Sequence, residues 1–357
     1  RGKPVLGIPG YPVSAALTFE LFVRPLIDEC LCQTAVKPRT IPAVIARKLV
    51  SPLGDDEFIR VQVGRVGKRT IAAPLDRGAG VIMSLVRADG LVKLPRFSEG
   101  VESGTRVNVE LFSDTESADH TAVAIGSHDP ALDVLASEIA QRSRPLRLVA
   151  TNAGSYGGLL ALRRDEAHLA GCHLLDPSTG TYNVTEVRRV LHGRDITLVN
   201  FVLREQGLIV PPGNPMQLRS VHDLTRNNVR FVNRQRGSGT RMLLEHLLSC
   251  EEIEPNSIHG YAHEQYTHLA VAADVKSGTA DVGLGVRSAA QALETDFVPI
   301  GMERYDLVIP SEHVNVPAVA ALLTILRDPV FAAQVSAMGG YDVTQMGEIV
   351  ANIGANE

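Results

Sequence analysis

The pattern of apolar and polar positions divides the chain into three textures. Residues 4–8 read as a short buried strand, halted by Pro9-Gly10-Tyr11-Pro12, where two prolines around a glycine force a turn. Over residues 14–27 the apolar positions Leu17, Leu21, Leu26 and Ile27 form a helix-like stripe. Strand, tight loop and helix together read as the end of an α/β domain. From 41 to 112 short alternating runs, such as Phe58-Ile59-Arg60-Val61-Gln62-Val63, are separated by glycine turns, the pattern of a small all-β sandwich or barrel. Residues 113–119 are polar and aperiodic. They open a linker (113–145) that contains a helix at 128–142, with Leu132, Leu135 and Ile139 on one side.

From residue 146 the rhythm becomes strand, Gly/Ser loop, helix, repeated. Strands are expected at 146–150, 173–175, 196–202, 229–232 and 281–285, and helices at 158–169, 187–191, 240–248 and 268–276. Such alternation predicts a parallel α/β sheet with helices on its faces. Four polar loops fall at expected strand ends. Asn233-Arg234-Gln235-Arg236-Gly237-Ser238-Gly239-Thr240-Arg241 precedes a helix whose Leu243, Leu244, Leu247 and Leu248 form one apolar stripe. Its first turn therefore points out of the sheet's carboxyl edge, where unpaired N–H groups and the macrodipole favour an anion. Ser238, Gly239, Thr240, Arg236 and Arg241 are the candidate contacts there. Thr151, Asn152 and Ser155 form a second such loop. Tyr182 and Asn183 close a third, at 176–183. Asp281, before a glycine-rich strand, is a cleft acid or a turn acid, and Arg204 is a hinge ion pair or a ligand contact. The loop at 233–241 lacks the lysine of a Walker A motif.

Composition narrows the class. With 45% hydrophobic and 21% charged residues among 357, the chain reads as globular and larger than a single core. A net charge of −5 gives no global reason to expect nucleic acid, and no apolar run is long enough to span a bilayer. The 4 cysteines show no zinc or CxxC spacing and read as reduced cytosolic thiols. His263 and His268 are five apart, about 140° around a helix, so with His259 they read as surface or cleft-edge histidines rather than a metal site. No nucleophile triad emerges from spacing. The opening Arg1-Gly2-Lys3-Pro4, without a Met or a signal segment, is expected to mark an expressed fragment.

The runs "NRQRGSGTR", "VKSGTADVGLG" and "RYDLVIP" resemble the type II solute-binding-protein fold. The resemblance implies a two-lobed α/β domain over 146–357, with lobe one at 146–206 and 303–357 and lobe two at 207–302, closing on a small-molecule ligand. The front resembles the molybdopterin molybdenumtransferases. "GKPVLGIPGYPVSAALTFELFVRP" is similar to the end of their cofactor-binding domain (1–36), and "LDRGAGVIMSLVRADGLVKLP" with "GTRVNVELF" to their small C-terminal β domain (37–112). Tyr11 stands where that family usually has Asn. The resemblance implies a cytoplasmic protein of molybdenum-cofactor biosynthesis and a homodimer. It implies a module that binds molybdate or tungstate, with molybdopterin or another small organic ligand as the alternative and a regulator's sensor domain as the second. No cofactor, metal ligand or catalytic residue is expected in this chain, and enzyme activity of the full-length protein stays open.

Overall fold

The computed structural model describes residues 3–34, 38–75, 77, 81–113, 116–176 and 179–355. They fall into two compact units, Arg1–Thr121 and Ala122–Glu357. Asp76, Gly78 to Gly80, Pro177 and Ser178, which belong to the motifs quoted above, lie outside the described residues.

In the first unit five strands close a barrel in the order Thr40–Ile45, Arg69–Pro74, Glu57–Val66, Gly90–Leu94, Arg106–Leu111 and back to Thr40–Ile45. Ile59, Val61 and Val63 recur at every second position and so share one face. They pack with Ile45, Ala72, Val92 and Val109 in a single core. Closure leaves no unpaired barrel edge. The strand expected at 4–8 is not formed. Among the described residues none pairs with its backbone as a strand, and Val5 is 92% exposed. The expected helix is continuous but irregular, running as Pro12–Thr18, a π turn at Phe19–Val23, and Arg24–Cys30. Pro12 sits in the first turn, where its missing N–H is harmless. Pro25 cannot donate back one turn, and the ladder widens just before it.

The second unit is built on two strands of 15 residues each, Ile196–Val210 and Asp296–Pro310. They run antiparallel from the pair Ile196 and Pro310 to the pair Val210 and Asp296. At about 3.3 Å per residue each spans roughly 50 Å, enough to cross two lobes. The full sheet runs Ala170–Cys172, Asp296–Pro310, Ile196–Val210, Val282–Val286, Phe231–Arg234, Glu264–Gln265, with Tyr341–Asp342 and Ile349–Ile353 also paired to Ile196–Val210. Toward one end, Phe201, Tyr305, Leu307 and Ile309 pack against Leu132, Leu135 and Ile139 of helix Pro130–Arg142. The 113–145 stretch, expected as a linker with a helix, thus contributes that helix and the buried strand Thr121–Gly126 to this lobe.

The apolar helices Pro317–Leu326 and Pro329–Ala337 pack in the same core through Leu322, Leu326, Phe331 and Val335. Among the described residues no single helix is long and apolar enough to cross a membrane.

Toward the other end, Leu208 and Val210 face Phe231, Leu244 and Leu248, while Ile209 faces Val232, Val271 and Val275. This lobe's sheet is therefore covered on both sides, as its continuous apolar strands require. Between the two cores the long strands carry Asn200, Arg204, Gln206, Glu303 and Asp306, all buried. The strand expected to end at residue 202 continues through this polar stretch.

Candidate functional site

Lobe two presents the carboxyl ends of three strands to lobe one. Phe231–Arg234 leads to helix Gly239–Cys250, Glu264–Gln265 to helix His268–Lys276, and Val282–Val286 to helix Arg287–Ala292. Ser238 caps the first helix, its Oγ accepting from Arg241 N at 3.2 Å. Thr267 caps the second, accepting from Ala270 N at 3.0 Å. Lobe one answers with helix Pro130–Arg142, capped by Asp129, and helix Gly154–Arg163, whose N-cap Ala153 has no side-chain bond. The lobes meet here. Asn152 Nδ2 donates to the Tyr266 carbonyl at 3.0 Å, and a β-carbon added at Gly154 would lie 3.5 Å from the Gly237 carbonyl oxygen. Gly239 lies against His173, and a β-carbon at 239 would collide with that ring and its carbonyl.

Two groups of buried polar side chains sit at this junction, and they differ in kind. In the first, Arg204 Nη1 donates to Asp129 at 2.6 Å, its Nε donates to Glu303 at 2.9 Å, and its guanidinium lies 4.8 Å from the Tyr305 ring centre. Gln206 Nε2 donates to the same Glu303 oxygen at 2.5 Å. His173 Nδ1 bonds the other Glu303 oxygen at 2.6 Å, and Ser127 Oγ lies 2.8 Å from His173 Nε2. Burial opposes the charge on Glu303, but His173 and Arg204, with a bond from Gln206, outweigh it and hold the carboxyl at about 2. Burial pushes His173 below its usual range, while its Nδ1 bonds Glu303 and its Nε2 lies against Ser127 Oγ, the donor and acceptor at each contact being set by the tautomer. Hydroxyl, imidazole and carboxylate are aligned as in a hydrolase triad. Here Glu303 is shared with Arg204 and Gln206, and Ser127 is only 4% exposed. The alignment acts as a brace between strands. Asp306 extends it, taking Asn183 Nδ2 at 2.7 Å and Arg304 Nε at 2.9 Å.

Among the described residues the second group is unmatched. Arg234 is 3% exposed, yet its Nε and Nη1 have no hydrogen-bond partner. Burial, and then Arg204, press its guanidinium down to about 10. His268 is 4% exposed with neither ring nitrogen bonded. Thr151 Oγ1 and Gln206 Oε1 are likewise buried and unbonded. Isolated buried cations and donors of this kind are costly in a finished core.

The candidates from the sequence separate accordingly. Thr151, Ser238, Gly239 and Thr240 are buried at the junction, and Thr240 Oγ1 lies 3.4 Å from Gln206 Nε2. Asn152 bridges the lobes. Ser155 is fully buried and spends its hydroxyl on His173 N at 3.2 Å. Asn183 is tied to Leu174 N at 2.7 Å as well as to Asp306. The Tyr182 carbonyl accepts from Arg304 at 2.6 Å, and burial raises its phenol to about 12. Arg204 is taken up by its two carboxylates. Arg241 is committed to Glu245 at 2.8 Å and to the Tyr261 ring at 4.1 Å. Arg236 is 87% exposed in its side chain. Asp281 binds the Arg230 backbone at 2.9 Å and its guanidinium at 2.7 Å, at the amino end of Val282–Val286 and away from the junction.

Sequence reasoning passed over Ser127, His128, Asp129, His173, Arg234 and Glu303. Of the three histidines read as surface or cleft-edge, His259 and His263 are exposed, whereas His268 opens a helix that packs on the sheet and is buried at the junction. Asp129 before Pro130 carried a legible cap signal. Among the described residues no cluster of His, Cys, Asp and Glu has the arrangement of a metal site.

Comparisons with known proteins agree with this anatomy. Residues 136–327 match the family described as PBP superfamily domain, and residues 42–112 match the MoeA C-terminal region (domain IV). YvgK, an uncharacterized protein of Bacillus subtilis, is 34% identical over 230 residues, covering 64% of this chain and 73% of its own. Molybdopterin molybdenumtransferase 2 of Mycobacterium tuberculosis is 31% identical over 120 residues, 30% of this chain and 26% of its own. The chain thus spans about a quarter of that relative's length. An ABC-type phosphate transport receptor from Vibrio cholerae superposes with a TM-score of 0.44 at 15% identity, covering 62% of this chain and 98% of the receptor. The chain belongs to the PBP superfamily domain family, with a MoeA C-terminal region ahead of its two-lobed unit.

Proposed function

We propose that the two-lobed unit is a ligand-binding module of molybdenum-cofactor biosynthesis that closes on a small oxyanion, molybdate or tungstate. The observation that carries this reading is the Arg234 guanidinium, buried between the lobes with two of its nitrogens unbonded. An anion drawn against it would accept from the guanidinium, from the one N–H of His268 and from the Thr151 hydroxyl, beside the first turn of helix Gly239–Cys250. Water is exchanged for fixed dipoles, and closure follows the difference in affinity between open and closed forms. The preceding MoeA C-terminal region favours molybdate and tungstate within the oxyanion class. In the cytoplasmic full-length protein, a homodimer in this reading, the module hands the oxyanion to a molybdenumtransferase.

The test is thermal unfolding with molybdate, tungstate, sulfate or phosphate. Ligand at 100 times its dissociation constant adds about 2.7 kcal/mol, a rise of several degrees for a unit of this size. The shift should vanish in Arg234→Met. A flat response to all four anions sinks the oxyanion reading, and a response to molybdopterin alone would replace it with a pterin site.

A further inference from the structure

His268 differs from the other buried histidine of the junction. His173 has both ring nitrogens bonded, whereas His268 has neither, although its ring is closed off from solvent. It is the first residue of helix His268–Lys276, and the missing side chain of Gly285 leaves room beside its Nδ1. After burial, the strongest influences on it are all cationic: Arg234 of its own lobe's sheet and Arg204 of the long strand, then His173 and His128 of lobe one where these are protonated.

Acids on the elements packed against its helix are bound elsewhere. Glu205 pairs with Arg287, Glu264 accepts from Arg241 at 3.5 Å, and Asp274 accepts from Gln265 at 2.8 Å. Asp129 and Glu303 are spent on Arg204. Burial, and then Arg234, keep the imidazole well below its ordinary range, so it stands neutral with one N–H. A dianion against Arg234 reverses that field. An opposite charge at such range raises a group's affinity for its proton about 10- to 1000-fold.

Resting on the oxyanion reading above, we propose that His268 takes up one proton from solvent as a doubly charged oxyanion binds, and that this uptake selects dianions over monoanions. In the complex the imidazolium and the Arg234 guanidinium then meet the two charges of the ligand. Uptake forms one N–H bond on the ring at the expense of one bond to hydrogen in solvent or buffer, the ligand stays intact, and the proton returns to solvent on release. The sign of the pH dependence follows. The free imidazole titrates low and the bound one higher. Between those two values the association constant tracks proton concentration, so binding weakens tenfold for each unit of rising pH.

Calorimetry of the full chain with sulfate, from mildly acidic pH below the ordinary imidazole value up to neutral, and with molybdate at the neutral end of that series, where each stays dianionic, reads this directly. The expected result is a dissociation constant that rises about tenfold per pH unit within that window. A heat that varies with the buffer's ionisation enthalpy should report uptake of about one proton. Perchlorate, tetrahedral and singly charged, should bind more weakly with no slope. His268→Gln should retain weaker, pH-independent binding, and His128→Gln should keep the slope. The buffer series on the parent chain needs no variant to fold. Firm binding of both dianions without slope or proton uptake overturns the proposal and leaves the anion site standing. A slope surviving in His268→Gln overturns the assignment to this residue. If neither anion binds at any pH, the site reading beneath it falls as well.

Discussion

The two polar groups at the lobe junction are equally buried and unequally finished: the brace pairs its charges and leaves single atoms such as Gln206 Oε1 unbonded, while Arg234 and His268 leave most of their polar atoms so. Around Arg204 each charge has its partner: two carboxylates, an amide, an imidazole and an aromatic face. Around Arg234 and His268, side chains of the same types are enclosed with little to bond. Burial alone therefore does not separate a brace from a binding site. The state of the hydrogen-bond inventory does, because a finished interior leaves few polar atoms unbonded. Arg204, Gln206 and Glu303 of the brace lie on the strands that join the lobes, whereas Arg234 ends a strand and His268 opens a helix of lobe two.

The comparison is tested most severely by cutting the brace. Arg204→Ala strands Asp129 and Glu303 as buried, unpaired carboxylates, a loss on the order of 3–5 kcal/mol. A fall in Tm of about 10 °C or more is expected. A small change would mean that the two groups are not different in kind. Arg234→Met is the converse. Removing an unpaired buried cation should leave the unliganded Tm unchanged or higher, while the anion-induced rise of several degrees is lost. A Tm that drops as far as in Arg204→Ala would show that Arg234 is structural too.

The third prediction concerns acid. Burial works against the Glu303 carboxylate, yet His173 and Arg204 keep it at about 2, below its unfolded value near 4.5. A carboxyl lowered in this way contributes stability that is complete above the unfolded value and lost as pH falls from about 4.5 toward 2. Denaturant titrations across that range should show the loss in the parent and a flatter profile in Glu303→Gln. The smallest effect is expected from Asp281→Asn. Its bond to Arg230 holds Asp281 below the usual carboxylate range, but the pair is partly exposed, so Tm should barely move and the anion response should not change. A lost response would return Asp281 to the site.

Much of this architecture was legible in the chain. The two textures, barrel and α/β, follow from alternation and glycine spacing, and the Ser238 cap from its place before a leucine stripe. The brace was not legible, because its members are far apart. Arg204 meets Asp129 across 75 positions and Glu303 across 99. No local pattern announces such a pairing. The polar run Arg204-Glu205-Gln206 also looked like the end of a strand, since a continuous strand is expected to stay apolar when both faces are covered. Within the loop at 233–241 three arginines compete. Attention fell on Arg236 and Arg241, whereas Arg234, the last residue of its strand, is the one that is buried and unbonded. Exposure at a strand's final position is decided by the opposing lobe, which the local sequence does not contain.

Gly239 separates two properties that usually travel together. It supplies no side chain to a ligand, yet its bare α-carbon is what lets helix Gly239–Cys250 seat against His173. Adding a single methyl would act as a doorstop. The donors would keep their identities while the jaws were held ajar, so capture would degrade through geometry alone. The tolerance of the whole device for mutation is therefore narrowest at a position with no chemistry of its own.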